Sequence, residues 1–139
     1  MKNRLSKIVF VLTLIFLNIG CDQATKHLAW ENLKNEPEIS YCDRVFVLTY
    51  AENPGAFYGS GANLEEPFKS LLLIAVPSIA LAFLLFYTFK TGFTEALAFC
   101  FIIGGGFSNV YDRIAYGKVI DFMNVGVGDF RTGIFNVAD

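Results

Sequence analysis

Residues 70–89, SLLLIAVPSIALAFLLFYTF, run for twenty positions without an acidic or basic side chain. A hydrocarbon core of ~30 Å is crossed by about 20 helical residues, so this stretch predicts a transmembrane helix. Pro77 inside it is tolerated because neighbouring helices and local backbone readjustment take up the carbonyl it frees. The rest of the chain fits the same solvent. Of 139 residues, 54% are hydrophobic and 16% aromatic, and the mean hydropathy is +0.47, too apolar for an ordinary soluble domain. The run 96–111, ALAFCFIIGGGFSNVY, is long enough to span if Thr94 or Arg113 lies near an interface. The run from Ile8 to Cys21 is short, but helical continuation through Asp22, Lys26 and His27 to an interfacial Trp30 makes it long enough. The expected architecture is a single domain, 1–139, of class all-α membrane protein, a helical bundle with spans at about 8–30, 69–89 and 94–113.

Orientation follows from Lys2, Arg4 and Lys7, which favour a cytoplasmic N-terminus. Residues 31–68 and the tail from Asp112 then lie outside. A raw count opposes this, with four of the eleven Lys and Arg inside and seven outside, so the cluster beside the first span must dominate. The same cluster before an apolar stretch also resembles a signal peptide, and NIGC suggests lipid modification at Cys21. Asn18 stands where an aliphatic residue is usual in such a box, and two further spans argue against a free lipoprotein. Outside the membrane, VFVLTYAENPGAFYGSGA reads as strand, turn and strand over about 41–60, and ANLEEPF reads as a short interfacial helix capped by Asn63. Cys21 and Cys100 sit in apolar runs as small buried hydrophobes, and a Cys21–Cys42 disulfide is an open alternative. Three scattered cysteines and one histidine give no metal spacing. A net charge of −2 and the lack of a glycine-rich phosphate loop speak against nucleic acid and nucleotides.

Charged groups in or near a bilayer are costly, about 2.5–3.5 kcal/mol for Asp, Lys or Arg at a helix centre, so their placement is informative. They gather at one end. Asp22 and Lys26 fall at the outer end of the first span, as an (i, i+4) ion pair that eases a helix terminus; Asn109, Asp112 and Arg113 fall at the outer end of the third, where Asp112 and Arg113 read as a neighbouring pair. Asn53, in NPGAF, reads first as a turn former, and Gly104–Gly106 as a surface for close packing, most simply against the first span. Asp121 and Asp139 differ from these. Each is an acid among apolar neighbours with no adjacent cation, and two such carboxyls brought together would share one proton. That arrangement supports aspartic protease chemistry, in which the ionised member activates water and the protonated one polarises the scissile carbonyl.

Five blocks, DQATK at 22–26, NPGAF at 53–57, GGFSNVYDR at 105–113, VIDF at 119–122 and FNVAD at 135–139, resemble in order and spacing the signature blocks of bacterial lipoprotein signal peptidase, or signal peptidase II. The resemblance covers nearly the whole chain. It implies a small extracytoplasmic β-cradle on the helical bundle. It also implies a metal-free and cofactor-free endopeptidase of the bacterial inner membrane, probing its substrate at the outer face. Its substrate would be a lipidated prolipoprotein embedded in membrane lipid, cut just before the diacylglyceryl-bearing cysteine; its inhibitors would be globomycin-type peptides, and it would act as a monomer. By the same resemblance Asp121 and Asp139 match the catalytic dyad. Asn53, Asn109, Arg113 and Asn136 match the substrate-binding residues. Asp22 and Lys26 match the supporting pair of the first helix, with Asp112 beside them, and Gly55 matches the close turn of the cradle. Two departures stand out. Ser108 occupies a position usually held by Gly, a change the helix contact should accept if it has room. Family members also continue from FNxAD into a fourth transmembrane helix, of which this sequence holds only the beginning. A truncated chain would lack one wall of the groove and place a terminal carboxylate beside the dyad, and adding the helix is expected to raise activity.

Two other classes compete. A non-catalytic membrane protein could bind lipoprotein or lipid through the same groove; replacing Asp121 or Asp139 with Asn would then leave binding intact and remove no cleavage. A transporter or channel subunit could use Asp22 and Lys26 as a polar relay, but that leaves both tail acids and the outer β segment without a role.

Overall fold

The computed structural model describes residues 4–56 and 59–139; Lys2 of the basic cluster and Phe57 of the NPGAF block lie outside these. Three helices are long and apolar enough to cross a membrane: α1 (Arg4–Leu33), α2 (Phe68–Thr88) and α3 (Phe93–Tyr116). The protein is an integral membrane protein of mostly helical class. Its surface is inverted relative to a soluble bundle, with Phe16, Ile79 and Phe83 each 68–70% exposed on the flanks, as side chains bathed in lipid would be.

Each helix has a physical reason for its limits. α1 stops where Asn35 takes a positive φ, and Glu36 N–H closes the turn on Leu33 O. α3 stops at Gly117, whose φ of 72° needs no side-chain accommodation and lets its N–H reach Arg113 O at 3.1 Å. In α2 the readjustment around Pro77 takes the form of a widened π-helical turn at Leu71–Ala75, immediately before the proline that cannot donate to the preceding turn. On the opposite side of the bundle the Lys7 ammonium donates to Phe89 O and Thr91 O, so a cation from the start of α1 satisfies carbonyls at the end of α2.

The bundle core consists of Val11 and Ile15 of α1 with Cys100 and Ile103 of α3. The triple glycine distributes its contacts one by one. A β-carbon on Gly104 would lie 2.6 Å from Asn18 Cβ of α1, and one on Gly106 would lie 2.6 Å from Leu81 Cδ2 of α2. One on Gly105 would lie 2.2 Å from Ala138 O of the tail. The first span is thus one of three neighbours that need a bare backbone here, since both other helix surfaces close on the same turn of α3.

At one end of the bundle, four strands form an antiparallel sheet in the order β1 (Ile39–Tyr41), β2 (Phe46–Asn53), β3 (Val119–Val127), β4 (Phe130–Arg131). The expected strand–turn–strand across Asn-Pro-Gly is corrected here. β2 ends at Asn53 and pairs with β1 and with the distant β3, because Pro54 cannot donate to a ladder and the residues that follow turn away. Asn63 caps no helix either: α2 begins at Phe68 after Pro67, without a side-chain cap. Cys21 and Cys42 are free thiols, so the disulfide alternative is set aside. The sheet docks on α1 through Phe122, which packs with Ala29 and Leu33.

Candidate active site

The period of two along β3 decides which way its acid points. Phe122 faces α1, so Asp121 faces the other way, alongside its cross-strand partner Ala51 and near Asn53, which pairs with Val119. Asp121 is only 3% exposed. Its Oδ2 accepts a hydrogen bond from Asn53 Nδ2 at 3.3 Å and its Oδ1 one from Asn136 Nδ2 at 2.6 Å. Burial raises the Asp121 pKa above the ordinary carboxylate value, the two amide donors oppose that shift, the Asp139 charge adds to it and Lys26 opposes it.

Asp139 arrives by a local device. Asn136 Oδ1 accepts the Ala138 N–H at 2.9 Å, and Asp139 Oδ2 accepts the Asn136 N–H at 3.1 Å. The first bond is that of an Asx turn at Asn136, and the second reaches back over three residues as the acid of a capping box does. The other oxygen, Asp139 Oδ1, accepts from Asn109 Nδ2 at 3.0 Å. Asn136 Nδ2 also reaches Asn109 Oδ1 at 3.3 Å, so two amides link the acids. Asp139 itself lies at an exposed edge while Asp121 is enclosed.

Behind the acids lies a buried charge cluster. Lys26 Nζ contacts Asp22 Oδ2 at 2.6 Å and Asp112 Oδ2 at 2.7 Å, and donates to Asn109 Oδ1 at 2.7 Å. The (i, i+4) pair is therefore one edge of a link between α1 and α3, and it orients the amide that holds Asp139. The expected pairing of Asp112 with Arg113 is corrected: adjacent helical residues do not face each other. Asp112 turns to Lys26 and to Gln23 Nε2 (2.8 Å), whereas Arg113 turns to the cavity and donates to Asn109 O (3.1 Å) and Gly55 O (2.9 Å). Gly55 N–H in turn donates to Asn53 Oδ1 at 3.0 Å, and a β-carbon on Gly55 would lie 2.5 Å from Gly59 O. No side chain larger than hydrogen fits that turn without displacing it.

These groups enclose a cavity of about 750 Å³ whose walls include Asn53, Asn109, Arg113, Asp121 and Asp139. Lys26, Asp22 and Asp112 stand behind the wall, and Asn136 is buried between the acids. The stretch Thr132–Phe135 forms the remaining wall, held by Phe135 N–H to Met123 O at 2.8 Å. The sequence reading gave no role to residues 132–134 or to Gln23, and it noted Ser108 only as a departure that the helix contact should accept. Thr132–Phe135 lacks the alternation of a strand and the period of a helix, so only its position between two marked blocks could have flagged it.

The fold and the cleft together define a class: a multi-span membrane protein with a polar cleft at the ends of its helices. Two solved structures described as bacterial membrane enzymes share the fold, with TM-scores of 0.79 and 0.78 at 22% and 24% identity. Each superposes on 94% of this chain, which covers 79% and 83% of theirs. The family described as signal peptidase (SPase) II matches residues 14–139. The lipoprotein signal peptidase of Syntrophus aciditrophicus is 32% identical over 95% of this chain and 83% of its own length. That of Halothermothrix orenii is 35% identical over 94% and 84%, and that of a Sulfurihydrogenibium species 33% identical over 96% and 83%. The chain belongs to the signal peptidase II family, and with that membership come protease activity and the processing of prolipoprotein signal peptides.

Proposed function

We propose that the chain is an aspartic endopeptidase that cuts a diacylglyceryl-modified prolipoprotein immediately before its lipid-bearing cysteine, with Asp121 and Asp139 as the catalytic pair. The observation that carries this reading is that both carboxyls reach one cavity and are joined through Asn109 and Asn136. Asp121, enclosed and raised in pKa, enters protonated and donates to the scissile carbonyl oxygen. Asp139, at the exposed edge, takes a proton from water as the water oxygen bonds to the carbonyl carbon. In the second half Asp139 returns its proton to the departing nitrogen, the C–N bond breaks, and Asp121 recovers its own from the new carboxyl.

Asn53 and Arg113 serve as substrate-binding groups on the wall opposite the tail, with Asn109 and Asn136 fixing the acids between them. The buried Nε of Arg113 has no partner among the described residues, so it remains a donor for a peptide carbonyl. Asp22, Lys26, Asp112 and Gly55 support the site. The cavity lies at the end of the bundle away from Arg4 and Lys7, which supports a site at the outer face of the bacterial inner membrane. There the substrate keeps its acyl chains in lipid while its backbone enters the cleft, and a globomycin-type peptide would compete for the same groups.

A gel-shift assay on diacylglyceryl-modified prolipoprotein tests this. Cleavage by the wild-type chain should stop with globomycin and in both Asp121→Asn and Asp139→Asn, while both variants still bind substrate. Undiminished cleavage by either variant would remove the aspartic mechanism.

A further inference from the structure

Ser108 lies on α3 one residue before Asn109 and is fully buried. The helix contact does have room for its side chain, and the hydroxyl is used: it donates to Asp22 Oδ2 at 2.7 Å and accepts from Gln23 Nε2 at 2.8 Å. Both partners are on α1. The second oxygen of the same carboxylate, Asp22 Oδ1, accepts the Ala138 N–H at 2.9 Å, one residue before Asp139. A hydroxyl on the third span therefore connects, through one carboxylate on the first, to the backbone that carries a site acid.

We propose that Ser108 is a positioning residue for peptide cleavage: its hydroxyl locks the Asp22 carboxylate in the orientation that seats Ala138 and, through it, Asp139. This rests on the assignment of Asp139 to the catalytic pair. Lys26 alone does not fix that orientation, because its ammonium is shared among Asp22, Asp112 and Asn109. A short bond from a hydroxyl to a carboxylate is strong and directional and defines where the second oxygen points. The seat is also narrow. Gly105 presses on Ala138 O from the other side, so the tail backbone lies between a bare stretch of α3 and an acid on α1. Misplacing a reacting group by about 1 Å can cost on the order of a hundredfold in rate.

The chemistry of the position separates this role from plain packing. Alanine puts a methyl group beside the carboxylate and keeps water out. Glycine empties a space near the ~30 Å³ that one water occupies, and a water there can make both bonds of the hydroxyl. A packing role predicts that Ala equals or exceeds Gly, because Ala is the better helix former. A positioning role predicts the reverse order in turnover.

The test measures kcat and KM on diacylglyceryl-modified prolipoprotein, with thermal unfolding of each variant, for Ser108→Ala, Ser108→Gly and Asp139→Asn. Ser108→Ala should lose about tenfold in kcat with KM within about twofold, and Ser108→Gly should stay within about threefold of wild type in kcat despite lower thermal stability. A Ser108→Ala kcat within twofold of wild type, or a Ser108→Ala enzyme faster than Ser108→Gly, overturns the proposal. Should the Ala variant not accumulate, the Gly variant decides: near-native kcat per folded enzyme supports positioning, and a kcat loss accompanied by a raised KM overturns it. Full activity in Asp139→Asn would instead refute the catalytic assignment, so the two failures are told apart.

Discussion

Removing the Asn136 side chain is the most informative single perturbation of the site. Asn136 is 2% exposed and its amide makes three bonds, to Asp121 Oδ1 (2.6 Å), to Asn109 Oδ1 (3.3 Å) and from Ala138 N–H (2.9 Å). Asn136→Ala deletes all three, but two of the orphaned groups keep another partner. Asn109 Oδ1 retains Lys26 Nζ at 2.7 Å, and Ala138 N–H retains Asp22 Oδ1 at 2.9 Å. The loss is therefore concentrated on Asp121, whose other oxygen keeps only the longer bond from Asn53. A hydrogen bond to a charged group is worth about 1.5–3 kcal/mol. That is a fraction of a typical folding stability of roughly 5–15 kcal/mol, so the variant should still fold. If the same amount is lost from the transition state, the rate falls about 10–150-fold, at a factor of ten per ~1.4 kcal/mol. The pH profile supplies the sign. The Asn136 bond favours ionised Asp121 against burial and the neighbouring Asp139 charge, so its removal raises the Asp121 pKa further. In the proposed mechanism Asp121 acts in its protonated form, so the alkaline limb of the activity profile should move to higher pH. Initial cleavage rates in detergent from pH 5 to 9, beside thermal unfolding, would measure both effects. A native rate with an unmoved alkaline limb, or a limb displaced to lower pH, would refute the assignment of Asp121 as the acid.

Gly105→Ala should dislodge the tail, since its β-carbon would lie 2.2 Å from Ala138 O, and cleavage should fall at least tenfold; Gly20→Ala, where that atom meets open space, should leave activity unchanged in the same assay. Lys26→Met strands Asp22 and Asp112 without their cation, and breaking such a buried pair costs about 3–5 kcal/mol. Its level in membranes should drop sharply and recover in part when Asp112→Asn is added. Glu52 bonds Lys118 at 2.6 Å, which holds its pKa below the ordinary 4.5. Its contribution is present above that value and lost as pH falls through the lowered pKa. The unfolding temperature of Glu52→Gln should therefore lie below wild type at pH 7, by a small margin because the pair is exposed to water, and the two curves should converge as pH falls through the lowered pKa.

The comparison of sequence with structure divides along physical lines. Helices in lipid satisfy their own backbone and need only a run of apolar residues of sufficient length, which is a local property. So α1, α2 and α3 could be placed from hydropathy, with limits shifted by a few residues, and acids lacking a nearby cation could be singled out for their cost. Strand pairing is not local. The local pattern places the partner of β2 among the residues that follow it, whereas β3 lies beyond two spans; the alternation in VIDFMNV marks a strand but carries no information on what it pairs with. The same holds for the triple glycine, where a packing surface was legible and the assignment of each residue to a different neighbour was not.

By itself, then, the amino-acid order determined a membrane-spanning helical chain, the polar end of that chain and the two carboxyls worth pursuing, because solvation energy is carried by each residue wherever it lies. Only the tertiary structure decided that Asp112 faces Lys26 and not Arg113, that Asn136 ties one acid to the loop of the other, and that Ser108 reaches Asp22. Those contacts depend on rotation about a helix axis and on register between segments tens of residues apart, and neither is encoded in any short window of sequence.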